Sequence, residues 1–166
     1  MANEDHFTVI KDTREQKGYN FSKTSKGRCA GMVVQKLDTG DYTLQGLEDK
    51  ICVERKASVE ELALNLGQKK HPFMRELDRM ASFPHRFLVL EFDLEDVIEF
   101  PNHTNSRIPE SQRKDLHITS QYIAKCLTEF QVHKDIHVVF CGNKYKGFLA
   151  VMNIFKRINE MYVSGE

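Results

Sequence analysis

Two acids and a lysine are the residues of this chain best suited to chemistry. Asp41 lies in a Gly-Asp-Tyr segment, and Glu54 follows thirteen residues later in a Val-Glu-Arg-Lys segment that ends at Lys56. Carboxylates with open positions for water and phosphate suit Mg²⁺ or Mn²⁺. A lysine beside them can hold a phosphate or orient an attacking water. These residues are the minimum set for metal-assisted cleavage of a phosphodiester.

The residues around this set predict two short strands joined by a hairpin loop. Residues 42–44 and 51–53 are apolar or β-branched, and a polar loop containing glycine separates them. Alternate residues of a strand share a face, so Glu54 and Lys56 should point together while Arg55 points the other way as a structural partner. Each segment alone is also an ordinary turn or an ordinary solvated charge run.

A third acidic segment follows the first predicted strand. Residues 7–10 are rich in β-formers and lead into Asp12, Arg14 and Glu15. Asp12 can join the metal-binding acids at the end of its strand, or it can cap a turn or a helix. An adjacent arginine and glutamate suit the edge of a site that holds metal and phosphate together.

The charge of the chain is zero overall but unevenly distributed. Seven basic residues and only two acids lie between Lys11 and Lys36, whereas residues 91–99 contain five acids and no base. A basic segment next to an acidic cluster is typical of a nucleic-acid phosphodiesterase, although a solvated loop is the alternative. Residues 17–31 predict a long loop, whose Tyr19 and Phe21 could contact DNA. Its candidate DNA-binding residues are Lys17, Lys23, Lys26 and Arg28.

Composition limits the remaining choices. With 166 residues, 40% of them hydrophobic and 29% charged, the chain predicts a single domain spanning residues 1–166. It has no apolar run of membrane-spanning length and a polar N-terminus, so we expect no membrane contact and a cytoplasmic location. The four cysteines are widely spaced, and no two form a Cys-x-x-Cys pair, so we expect no zinc site. Cys52 and Cys141 lie in strand-like runs and are expected to be core residues in a reducing compartment.

The rest of the chain alternates strands and helices. We predict strands at 32–37, 85–92 and 136–140, and helices at 58–65, 71–82, 115–130 and 144–162. Ser58 and Glu61 form a capping box for the first helix, and residues 101–109 form a loop. This order predicts an α/β fold with a central mixed β-sheet flanked by helices. The apolar stripe Phe148, Leu149, Met152 and Phe155 of the last helix is either core or a homodimer surface.

These segments resemble the XPF-type nuclease domain, a branch of the restriction-endonuclease-like (PD-(D/E)-x-K) superfamily. The run from Asp12 to Gln16 is similar to the opening of short, stand-alone phage and bacterial members. The likeness continues over nearly the whole chain, through residues 37–44, 46–48, 53–56 and 73–77 and the strand end at Glu91. The resemblance implies a restriction-endonuclease-like core. Eukaryotic and archaeal relatives append helix-hairpin-helix modules and often a helicase, and we expect neither in this chain.

The resemblance also implies roles for individual residues. Asp12, Asp41 and Glu54 would bind Mg²⁺ or Mn²⁺, and Lys56 would act on phosphate or water. Supporting residues would be Arg14, Glu15, Arg55 and Glu60, the last standing where family members carry an aspartate. Where relatives have an arginine before Phe73 this chain has Pro72, so Arg75 or Arg79 would supply the DNA contact.

The expected function is therefore a metal-dependent DNA endonuclease. By family analogy its substrate is branched or structured DNA (flaps, forks or junctions) in repair, recombination or replication, in a bacterial or phage-infected cell. Two alternatives remain open. One is a non-catalytic DNA-binding subunit of a nuclease complex, and the other is a phosphodiesterase acting on a small cyclic nucleotide.

Overall fold

A computed structural model describes residues 6–22 and 28–165 of the chain. Its centre is a six-stranded mixed sheet, in which the strands lie in the order β2-β1-β3-β4-β5-β6. The strands are β1 (Phe7–Lys11), β2 (Cys29–Val34), β3 (Tyr42–Leu44), β4 (Ile51–Lys56), β5 (His85–Leu90) and β6 (His137–Phe140).

The sheet is antiparallel at its centre and parallel towards both edges. β3 pairs antiparallel with β1 and with β4, as the predicted hairpin requires. β2 runs parallel to β1, and β5 and β6 continue parallel from β4. The ends of β1, β4 and β5 and the start of β3 therefore meet at one edge of the sheet.

Six helices complete the described fold. They are α1 (Val59–Leu66), α2 (Lys70–Met80), α3 (Leu94–Glu99), α4 (Glu110–Arg113), α5 (Ser120–Lys134) and α6 (Lys144–Ser164). α1 begins as predicted, because the Ser58 hydroxyl accepts a hydrogen bond from the Glu61 amide at 3.2 Å. No helix within the described ranges is long and apolar enough to span a membrane.

The two faces of the sheet carry separate cores. Leu62, Leu77 and Ile123, from α1, α2 and α5, pack on one face together with Leu88 and Leu90 of β5. Phe155 of α6 packs on the other face with Val53 and Val89. This arrangement confirms the predicted α/β fold with a mixed sheet flanked by helices.

The predicted 17–31 loop was wrong in its aromatic residues and in its end. Tyr19 and Phe21 are 2% and 1% exposed and pack against Tyr42 and Phe148, so they belong to the core and do not stack on DNA. Strand β2 begins at Cys29 rather than at residue 32. Short aromatic segments resemble mobile loops in sequence because they lack periodicity.

Smaller differences concern α3, α5 and α6. The acidic run 91–99 contains α3, capped by Asp93 and Asp96, which no sequence pattern indicated. Helix α5 begins at Ser120, capped by Thr119, rather than at residue 115. Within the apolar stripe of α6, Met152 and Phe155 are buried core residues, while Leu149 is 41% exposed. All four cysteines are free and buried, which confirms the core positions predicted for Cys52 and Cys141.

Candidate active site

The predicted acids meet at the edge of the sheet where β1 and β4 end and β3 begins. The backbone amide of Asp12 donates to the Asp41 carbonyl at 2.8 Å, and the Asp41 amide donates to the Val53 carbonyl at 2.8 Å. The two pairings fix Asp41 between the ends of the neighbouring strands. A cavity of about 520 Å³ opens at this place. Its lining contains all four residues predicted to be catalytic, namely Asp12, Asp41, Glu54 and Lys56.

Gly40 explains why the aspartate is preceded by glycine. Its φ of 79° lies in the left-handed region, and a Cβ built there would stand 2.5 Å from the Cys52 sulfur. A side chain would be strained by the backbone and blocked by Cys52. The Gly40 amide donates to Glu76 Oε1 of α2 at 2.7 Å. The turn therefore depends on glycine at this position and is held by α2.

Asp41 and Glu54 form an electrostatically strained pair. Burial raises the pKa of Asp41 well above its usual range, and the nearby Glu54 carboxylate raises it further. Burial also raises the pKa of Glu54, against the opposing effect of Lys56. One Asp41 oxygen accepts from the Arg55 amide at 2.8 Å, which anchors the side chain to β4. Two nearby acids with raised pKa values attract a proton or a cation.

Lys56 shares the face of β4 with Glu54, as the alternation predicted. Its ammonium lies 3.1 Å from Glu54 Oε1 and 4.9 Å from the centre of the Phe73 ring. Burial opposes the charged form of Lys56, but Glu54 and Glu61 outweigh this effect and raise its pKa. The lysine is therefore a fixed cation inside the cavity.

Asp12 is the most heavily hydrogen-bonded of the predicted acids. One of its oxygens accepts from the Leu37 amide at 2.8 Å, and the other accepts from Arg14 Nε at 2.7 Å and from the Arg14 amide at 3.2 Å. Burial alone would raise the pKa of Asp12, but these hydrogen bonds outweigh it and lower the pKa. Asp12 joins the ends of β1 and β2, and its predicted metal role stays a prediction.

Arg55 leaves the opposite face of β4 and enters a buried ion-pair network. Its guanidinium binds both oxygens of Glu91, with Nη2 to Oε1 at 3.0 Å. It also lies 3.3 Å from Glu15 and stacks 5.4 Å from the centre of the Tyr19 ring. Burial opposes the charge of Arg55, but Glu91 and then Glu15 outweigh it and raise its pKa. Arg55 and Glu15 are thus structural partners of the site, through Glu91.

Glu60 does not join the predicted group. Its carboxylate interacts with His103 Nε2 and accepts from the Arg107 amide, both at 2.9 Å, so it ties α1 to the 103–107 loop. Glu61 lines the cavity instead, and its carboxylate accepts from the Ala57 amide at 2.8 Å. Adjacent helix residues point about 100° apart, so Glu60 and Glu61 face different surroundings. The sequence alone does not show which of them faces the cavity.

Glu76 is a site residue to which no role was given from sequence. It lines the cavity on α2, holds the Gly40 amide, and contributes to the raised pKa of Glu54 after burial and against Lys56. Its second oxygen accepts from Arg79. The amphipathic pattern of α2 could have indicated this role, because Glu76 stands next to the buried Leu77, where a carboxylate can face the strands.

The candidate DNA-binding residues divide into three groups. Lys17 and Arg75 are exposed, and Arg79 binds Thr39 and Glu76 next to the cavity. Arg28 pairs with Glu160 just before β2, beside the start of β1 and therefore at the sheet edge opposite Asp12. Lys23 and Lys26 lie outside the described residues. The structure thus removes Arg28 from the neighbourhood of the cavity.

The carboxylates of the cavity are the oxygen donors that a divalent cation needs. Within the described ranges, no group of three or more histidine, cysteine, aspartate or glutamate side chains is arranged to hold a metal. Mg²⁺ is commonly held by only one or two carboxylates, with water and substrate phosphates completing its octahedron. Asp41 and Glu54 fit that requirement, because both are oxygen donors in one cavity and burial raises the pKa of each.

The mixed sheet with helices on both faces, and with the acids and the lysine at one sheet edge, has the fold expected of a restriction-endonuclease-like core. The chain belongs to the ERCC4 domain family, the XPF-type nuclease domain, whose model matches residues 11–148.

Two solved structures show the same fold. XPF from Aeropyrum pernix is 18% identical with a TM-score of 0.62, and the match covers 91% of this chain and 60% of that one. XPF from Aeropyrum pernix in complex with DNA is 19% identical with a TM-score of 0.61, and the match covers 92% and 64%. This chain therefore spans less than two thirds of those chains. No curated protein matches it in sequence.

Proposed function

We propose that this chain is a divalent-metal-dependent DNA endonuclease that hydrolyses phosphodiester bonds with Mg²⁺ or Mn²⁺. The observation that supports this most is the pairing of Asp41 and Glu54, two carboxylates with raised pKa values, with Lys56 in one open cavity. Membership of the ERCC4 domain family supports the choice of nuclease chemistry over other uses of a carboxylate pair.

Asp41 and Glu54 would hold the metal, which when bound supplies charge neutralisation at the scissile phosphate and its leaving oxygen. Lys56 would donate a hydrogen bond to a phosphate oxygen or to the attacking water, since Glu54 and Phe73 fix its ammonium. Glu76 positions the Gly40 turn and so places Asp41. Asp12 would support this pair from the end of β1. Metal-dependent cleavage by the variants Asp12→Asn and Asp12→Ala tests whether Asp12 also binds the metal.

The preference for structured DNA is a further part of the proposal. The matched XPF from Aeropyrum pernix was solved in complex with DNA, and structured DNA is the substrate that the family resemblance implies. Three further points stay predictions from the sequence and its family resemblance: homodimerisation, a role in repair, recombination or replication, and a cytoplasmic location in a bacterial or phage-infected cell.

The test is cleavage of duplex, single-stranded, flap and junction DNA with Mg²⁺, Mn²⁺ or EDTA. We expect metal-dependent cleavage by the wild type and at least about 100-fold slower cleavage by Asp41→Ala, Glu54→Ala and Lys56→Ala, a loss typical of removing one catalytic group. Glu48→Ala is the matched control, because Glu48 is an exposed carboxylate on the β3–β4 loop.

The same assay separates the alternatives. A non-catalytic subunit would bind DNA without cleaving it under any metal condition. A phosphodiesterase for small cyclic nucleotides would be inhibited by a cyclic dinucleotide far more strongly than by plasmid DNA. If the three alanine variants cleave at the wild-type rate, the site assignment is wrong.

A further inference from the structure

A second cavity of about 650 Å³ adjoins the candidate active site. The two cavities share Arg14, Glu15, Arg55 and Glu61 in their linings. A DNA strand bound with one phosphate at Asp41 and Glu54 can therefore continue over this shared wall into the second cavity. This path for the DNA strand requires no rearrangement of the fold, because the two cavities are contiguous.

The basic side chains of the second cavity fall into those that are paired with acids and those that are available, while Glu61 adds a negative charge on the wall shared with the active site. Arg14 is paired with Asp12, and Arg55 is paired with Glu91 and Glu15. Lys17, Arg107 and Lys144 also line the cavity. Across the described part of the chain, the ammonium of Lys17 and the guanidinium of Arg107 have no hydrogen-bond or ion-pair partner, and all three residues are exposed.

The position of Lys144 directs its charge into this cavity. Its ammonium donates to the Lys17 carbonyl at 2.7 Å, which joins the start of α6 to the segment after β1. Lys144 is the first residue of α6, which runs to Ser164, and Gly142, Asn143 and Lys144 line the cavity. The positive end of the helix dipole therefore adds to the side-chain charges.

An acidic cavity limits this path on its far side. It is lined by Glu91, Asp93, Glu95 and Asp96 and shares only Arg107 among its basic residues with the second cavity. Phosphates are repelled by such a wall, so the basic cavity is a short segment between two acidic regions. It has room for the backbone next to the cleaved bond rather than for a long track.

Resting on the proposed nuclease function, we propose that Lys17, Arg107 and Lys144 form a phosphate subsite. It binds the DNA backbone phosphate next to the scissile one and so sets the position of the strand in the active site. Its ligand is a phosphodiester of the cleaved strand, recognised by charge and not by base sequence. Neither Arg107 nor Lys144 was indicated as a DNA contact by the sequence.

The test is a double-mutant cycle, in which a charge is removed from a side chain of the protein, from a phosphate of the DNA, or from both. Arg107→Gln and Lys144→Gln are compared with wild type and with Lys125→Gln, whose exposed lysine lies on α5. Binding of the same DNA is measured in EDTA by fluorescence anisotropy over a range of salt concentrations. A neutral methylphosphonate then replaces each phosphate in turn. Thermal unfolding checks that each variant is folded.

We expect each subsite variant to bind about tenfold more weakly, the loss of one charge-assisted hydrogen bond. The slope of log K against log salt should fall by about 0.7 to 0.9 for each lost phosphate contact, and Lys125→Gln should match wild type. One methylphosphonate position should weaken wild-type binding and have no effect in the variant, because both changes remove the same contact.

Unchanged affinity and slope in both subsite variants, or full methylphosphonate sensitivity retained in them, would overturn the subsite. Absence of DNA binding by wild type would also overturn it. The proposed function fails separately. If the wild type never cleaves with Mg²⁺ or Mn²⁺ but the cycle shows coupling, the subsite stands and the catalytic assignment does not. If cleavage is metal-dependent but the variants keep wild-type KM and Kd, only the subsite fails.

Discussion

Replacing Arg55 by methionine should unfold the protein at much lower temperature, although the residue faces away from Glu54 and Lys56. The Arg55 side chain is 7% exposed and binds Glu91, which is 4% exposed, and Glu15, which is 11% exposed. Methionine retains much of the packing against Tyr19 but donates no hydrogen bond. Two carboxylates then remain buried without their cation.

Removing one partner from a buried ion pair costs about 3 to 5 kcal/mol, because the other charge is left uncompensated. For a chain of this size, 1 kcal/mol lowers Tm by about 2 to 4 °C. Arg55→Met should therefore lower Tm by about 6 to 20 °C. Because Glu91 lies directly after β5 and Arg55 lies in β4, the loss should also loosen the pairing of these two strands.

The assay is urea unfolding followed by circular dichroism, together with thermal unfolding. The matched control is the double variant Arg55→Met with Glu91→Leu, which removes both charges of the main pair and should recover most of the lost stability. A loss below about 1 kcal/mol in the single variant, or a double variant less stable than the single one, would refute the reasoning that uncompensated charge dominates.

Three further predictions concern the site and the core. Asp41→Asn should stabilise the metal-free protein at neutral pH. The folded-state pKa of Asp41 is raised, so wild-type stability falls as pH rises towards that pKa, whereas the variant has no such charge. Tm is measured in EDTA from pH 4 to 8, and a difference in Tm between variant and wild type that does not change with pH would contradict the prediction. Metal binding should release protons from Asp41 and Glu54 and strengthen as pH rises; calorimetry in two buffers of different ionisation enthalpy measures the release, and equal heats would refute it. Phe21→Ala should lower the free energy of unfolding in urea by about 3 to 5 kcal/mol, as expected of a buried core residue. A decrease near zero would mean that Phe21 is not a core residue and would favour the predicted DNA contact.

Sequence patterns predicted most of the sheet, most helices and the meeting of Asp12, Asp41, Glu54 and Lys56 in one cavity. Strand alternation correctly separated Glu54 and Lys56 from Arg55, because the pleat of β4 is regular and its neighbours pair on both sides. Capping and amphipathic patterns located α1 and α2. These features are local, so neighbouring residues carry the information that specifies them.

The remaining contacts depend on long-range packing that single-sequence patterns do not carry. Tyr19 and Phe21 are buried because α6 covers them, and the choice between Glu60 and Glu61 depends on where the 103–107 loop folds. Glu76 reaches Gly40 from a helix 36 residues further along the chain. Each of these contacts joins segments whose approach is fixed by the whole fold.

The proposed role of Asp41 and Glu54 in holding a divalent cation for DNA cleavage is tested most directly by the initial cleavage rate against Mn²⁺ concentration. Wild type and Glu54→Gln, which keeps the size of the side chain and removes its charge, are compared on one DNA substrate. We predict no cleavage without metal, saturating cleavage by wild type, and a rate at least about 100-fold lower for Glu54→Gln at every Mn²⁺ concentration. Equal rates for the two proteins, or cleavage that persists in EDTA, would contradict the claim.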